Sequence, residues 1–124
     1  MTNYLRKEAY IRELMSKEFG TQLKKRNVNL FGTDIKWEAD FVSDDGKIVG
    51  EVKTAKFKGK GGTAIPRNLC SPYILLKNVI GAEERILVFT EESLHKHVMR
   101  NKEGQIAKYN GIDIRLIPLD EGFK

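Results

Sequence analysis

Polar and apolar residues alternate most regularly from Lys36 to Thr54, KWEADFVSDDGKIVGEVKT, and that stretch predicts a β-hairpin. A period of two puts Trp37, Ala39 and Phe41 on one face of the first strand, and Glu38, Asp40 and Val42 on the other. Asp45-Gly46 marks a two-residue type I′ turn, because both central positions need positive φ and both residues tolerate it. With Asp44 paired to Lys47, counting outward sets Val42 against Val49, Asp40 against Glu51 and Glu38 against Lys53, all on one face.

Upstream, Tyr4, Ile11, Leu14, Met15 and Phe19 form an apolar stripe at helical spacing, so a helix is expected from a Thr2 or Asn3 cap to Phe19, with Gly20 as its stop. Glu8 and Glu18 fall on or beside that stripe, whereas Glu13 points away. Lys24-Lys25-Arg26 reads as a solvated basic loop, with phosphate binding as the alternative, and Val28, Leu30 and Phe31 lead into the hairpin, with room for a short strand. After the hairpin, KFKGKGGTAIPRN at 56–68 reads as a loop. Ser71-Pro72 opens a helix running to about Gly81, and Arg85 to Thr90 is a buried strand. Thr90 then caps a helix, and Ile106–Tyr109 joins Ile112–Ile117 through an Asn110-Gly111 hairpin turn. The pattern is α/β: a mixed β-sheet with a central antiparallel hairpin, flanked by helices.

The chain of 124 residues is expected to form one domain, 1–124. Its single cysteine, Cys70, leaves no internal disulfide and reads as a core filler in a reducing, cytoplasmic setting. No apolar run reaches the roughly 20 residues of a membrane helix. The net charge is +5, and from Val52 to Ala82 there is no acid while Lys53, Lys56, Lys58, Lys60, Arg67 and Lys77 are all basic. That half would attract phosphate, and Lys56, Lys58, Lys60 and Arg67 are the candidate contacts to a DNA backbone. The glycines at 59, 61 and 62 lack the spacing of a nucleotide-binding loop. His95 and His97, two residues apart on a helix, point in different directions and cannot share a metal.

Two carboxylates facing each other across a hairpin destabilise it unless a cation or a proton lies between them. Cβ atoms of directly paired residues are about 5 Å apart, close enough for Asp40 and Glu51 to grip one divalent cation, with Lys53 further along the same face. The competing reading is a solvated polar face with a Glu38–Lys53 pair.

An acid on one strand, a short hairpin and then Glu51-Val52-Lys53 resembles the PD-(D/E)xK nuclease superfamily, with Asp40 as the first acid. Ala39 stands where the family name has proline. The order of elements is also similar to the small single-domain members, among them Holliday junction resolvase-type nucleases. The resemblance implies a restriction-endonuclease-like fold and a Mg²⁺-dependent DNA endonuclease, with Mn²⁺ able to substitute. It implies that Asp40, Glu51 and the Val52 carbonyl hold the metal and that Lys53 is catalytic. It also implies a further acid from the first helix, Glu8 with Glu18 in reserve, and a homodimer; the apolar pattern offers Tyr73, Leu76 and Ile80 or the edge of the Ile112–Ile117 strand as its surface, unless the helix stripe packs on the sheet or Pro118 guards the edge. The alternative is an inactive basic nucleic-acid-binding module or assembly subunit of the same fold. An RNA nuclease is a weaker third reading, because no run of base-stacking aromatics is present.

Overall fold

A computed structural model describes residues 3–56, 70–100 and 102–119. Five strands form one mixed sheet in chain order: β1 (Leu23–Asn29), β2 (Lys36–Ser43), β3 (Ile48–Lys53), β4 (Glu84–Phe89) and β5 (Ile112–Leu116). β1–β2 and β2–β3 are antiparallel, whereas β3–β4 and β4–β5 are parallel. α1 (Asn3–Phe19) covers one face, and α2 (Cys70–Lys77), α3 (Glu92–Arg100) and α4 (Lys102–Tyr109) cover the other.

Each face buries its own core. Ile11 and Met15 of α1 meet Leu23, Phe41, Val52, Ile86 and Val88 on one side. Tyr73 and Leu76 of α2 pack with Ala39, Val42, Val49, Leu87 and Phe89 on the other. Strand β4 feeds both, and Ile86 to Phe89 are all 0% exposed, as a strand covered on two faces requires.

Helix α1 ends as expected, with Gly20 N–H on the Lys17 carbonyl and Thr21 N–H on that of Ser16, the paired bonds of a Schellman stop. Four other expectations change. Lys24, Lys25 and Arg26 lie in the outer strand β1 and not in a loop, where their charges deter further pairing. α2 stops at Lys77, where Asn78 turns its side-chain amide onto the Ile74 carbonyl. Residues 102–109 are helix α4, so Asn110-Gly111 is a helix stop with Gly111 at φ 73°, and it feeds a parallel strand instead of closing a hairpin. Thr90 does not cap α3: its hydroxyl is buried with no partner among the described residues, while the Glu91 carbonyl accepts the His95 N–H.

The central hairpin keeps the expected register, Val42 opposite Val49 and Phe41 opposite Gly50, but the turn differs. Gly46 N–H closes onto the Ser43 carbonyl, and only Gly46 of the turn has positive φ, at 74°. Asp45 instead uses its carboxylate, accepting from the Ser43 hydroxyl and the Lys47 N–H. This side-chain brace takes the place of the left-handed conformation expected at Asp45.

Strict alternation along β2 also fails. Lys24 pairs with Val42 and Arg26 with Ala39, so one β1 residue, Lys25, faces two on β2, Asp40 and Phe41. Such a bulge bends its strand and resets which face follows. Ala39 and Trp37 therefore join Val42 in the α2-side core, while Phe41 packs under α1. The outer part of the β1–β2 ribbon curls over α2, where Leu30 bridges Val79.

Candidate functional site

Asp40 sits in that bulge, 7% exposed, where β2 parts from β3. Its Oδ2 accepts the Val52 N–H at 2.7 Å, a side chain taking a place that a strand carbonyl would otherwise fill. Its main-chain carbonyl accepts Arg12 Nε of α1 at 2.8 Å. The acid is thus held from two sides, by the strand that carries Glu51 and by the helix that carries Glu8.

The β2–β3 ladder ends at Phe41–Gly50, one pair short of the expected Asp40–Glu51, but the two side chains still meet, and that of Glu51 is 13% exposed. Its pKa is pushed up to about 9, first by burial, then by the hydrogen bond to Asp40 and by the Asp40 charge. Lys53 opposes the shift, with Nζ 4.0 Å from Glu51 Oε2. Two acids this close resist ionising together, and Glu51 is the one that holds its proton more tightly. This is the charge conflict that the hairpin register anticipates. Lys53 does not pair with Glu38, which reaches Lys25 instead at 3.7 Å.

Glu8 and Glu18 separate clearly. Glu18 binds Arg115 of β5. Glu8 is half-buried, and its pKa is raised by burial and by the Asp40 charge, against the lowering pull of Lys25, Arg12 and Lys53. Glu8, Asp40, Glu51 and Lys53 thus lie within one another's electrostatic reach. Val52 has its side chain in the α1-side core, so its backbone is what faces the site. Sequence reasoning misses Arg12 and Lys25. Arg12 follows Glu8 by four residues, one helical turn, and that spacing is the available signal.

Among the described residues, no three His, Cys, Asp or Glu side chains form a group able to hold a metal as they stand. The donors still fit magnesium, which needs one or two carboxylates when phosphate and water supply the rest. A protonated Glu51 held beside Asp40 is an arrangement in which a divalent cation can replace the proton.

Of the expected phosphate contacts, Lys56 is exposed just beyond β3, while Lys58, Lys60 and Arg67 lie outside the described residues. The side chain of Cys70 is also outside them. His95 and His97 are half-buried, His95 with its ring edge-on to Phe89. No helix of the described residues is long and apolar enough to cross a membrane.

The chain is an α/β protein with a five-stranded mixed sheet between helices and a buried acid pair at the bulge. No family model matches it, and no curated protein or solved structure does either.

Proposed function

We propose that the chain is a metal-dependent DNA endonuclease with a restriction-endonuclease-like fold. The observation that carries this reading is the Asp40–Glu51 acid pair with Lys53 beside Glu51, at the β2 bulge just past the last β2–β3 pairing. The element order, with α1 lending Glu8 to the same place, supports it. Asp40, Glu51 and the Val52 carbonyl would hold Mg²⁺, or Mn²⁺ in its place. A bound divalent ion polarises the phosphate and makes a water easier to deprotonate. Lys53 would orient the attacking water and offset the charge that grows on the phosphorane. Glu8 would close the site from the α1 side, and Lys56, exposed just beyond β3, would contact the DNA backbone.

A panel of labelled DNA duplexes, flaps and junctions incubated with Mg²⁺ tests the proposal. Cleavage is expected, and Glu51→Gln and Lys53→Met should each lower its rate by orders of magnitude. Wild-type protein that cuts nothing on the panel rejects it.

The reading as an inactive DNA-binding module is favoured by the lack of a ready three-ligand group among the described residues. Metal linkage separates the two. Millimolar Mg²⁺ should raise the melting temperature of an acid-pair site, and Asp40→Asn should abolish the gain, whereas a solvated face would not respond.

A further inference from the structure

The two outer strands of the sheet are built differently. β1 presents Lys24 and Lys25, both exposed, so a second copy of β1 laid against it would meet like charges. β5 reads Ile112-Asp113-Ile114-Arg115-Leu116, and among the described residues it has β4 on one side and no strand on the other. It contains neither lysine nor proline, and its two charges, Asp113 and Arg115, are opposite in sign, so they do not repel a second copy as the lysines of β1 do.

This sequence is complementary to itself when reversed about Ile114. In an antiparallel pair centred there, Ile112 faces Leu116, Ile114 faces Ile114, and Asp113 faces Arg115 twice over. Asp113 and Arg115 project on the face where Arg115 meets Glu18 and Phe19 of α1. A guanidinium has five N–H donors, more than its contacts to Asp113 and Glu18 use. On the opposite face, Ile114 and Leu116 are only partly buried against the α2-side core. A groove of about 400 Å³ lined by Met99, Lys108, Ile112 and Ile114 runs beside the strand. The apolar residues Met99 and Ile106 on the adjoining helices are about half exposed, at 52% and 49%, and Tyr109 is 91% exposed.

We propose that the protein forms a two-fold dimer in which β5 of one copy pairs antiparallel with β5 of the other, centred on Ile114. The sheet then continues through both copies, backbone hydrogen bonds and Ile114 hold the axis, and the two Asp113–Arg115 pairs fix the register. This inference does not depend on the catalytic reading.

Charge reversal tests it. Sedimentation equilibrium at micromolar concentration should give twice the 14.2 kDa chain mass for wild type. Asp113→Lys alone and Arg115→Glu alone should each be monomeric, because each sets like charges together at both pairs. An equal mixture of the two should form a heterodimer, in which every pair is again opposite in sign. Ile114→Cys in a Cys70→Ser background gives a second readout that leaves both charges in place, a disulfide-linked dimer under mild oxidation. A monomeric wild type, or a dimer that neither reversal weakens, would overturn the proposal.

Discussion

At Glu51 a single proton couples stability to pH. Its pKa rises from the ordinary 4.5 to about 9 on folding, so between those values the folded chain holds a proton that the unfolded chain has released. The native state then binds more protons, and stability falls as pH rises through that window. The contribution is fully present below 4.5 and gone above about 9. Urea midpoints measured in chelator from pH 5 to pH 9 should therefore decline, with Glu8 adding to the slope in the same direction. Glu51→Gln should flatten most of it and be the more stable protein at the alkaline end. Next to it, Gly50 makes room for an aromatic ring. A Cβ there would meet Phe41 Cζ at 1.9 Å, and Phe41 is fully buried. Gly50→Ala should cost about 1–3 kcal/mol, the usual range for overpacking a core. Adding Phe41→Leu should recover part of that loss in the same denaturation assay, since the clash and the ring disappear together.

Among the elements, the contact between α1 and the bulge links fold and site most directly. Arg12 gives the Asp40 carbonyl its hydrogen bond, and four residues on, the Ser16 hydroxyl donates to the Arg12 carbonyl and accepts the Leu23 N–H. Arg12→Met keeps the aliphatic stem but leaves a partly buried carbonyl unpaired, at a cost of about 1–3 kcal/mol. It should also reduce the Mg²⁺-induced gain in melting temperature, because Asp40 loses one of its two anchors. Ser16→Ala should lower stability and leave that gain unchanged. Sequence periodicity makes α1, the Val42–Val49 register and the facing acids legible, since each depends on local spacing. The bulge is not legible, because it exists only relative to β1 and no composition marks the residue that is doubled. Charges on an outer strand look like a loop for the same reason: the pattern that keeps Lys24 and Lys25 in water is the pattern of a solvated turn. Asn-Gly serves helix stops and hairpins alike, and the structure uses it after α4 as the former.

For the whole molecule, the charge distribution is the quantity to measure. If the basic stretch after β3 binds DNA, log K should fall steeply with log salt, and removing two of its lysine charges should lower the slope by roughly 0.9 for each phosphate no longer neutralised. Lys56→Ala with Lys58→Ala is the pair to use, and an unchanged slope would take this stretch out of the interface. The sheet has a further consequence, in time. Its first three strands form a meander within 23–53, whereas β3 reaches its parallel neighbour β4 only across 54–83. The entropy of closing that crossover falls on whichever step joins the two parts. The meander should therefore be partly built when the folding barrier is crossed, and the parallel half should be added afterwards. In stopped-flow experiments, Val42→Ala should mainly slow folding, and Leu87→Ala should mainly hasten unfolding.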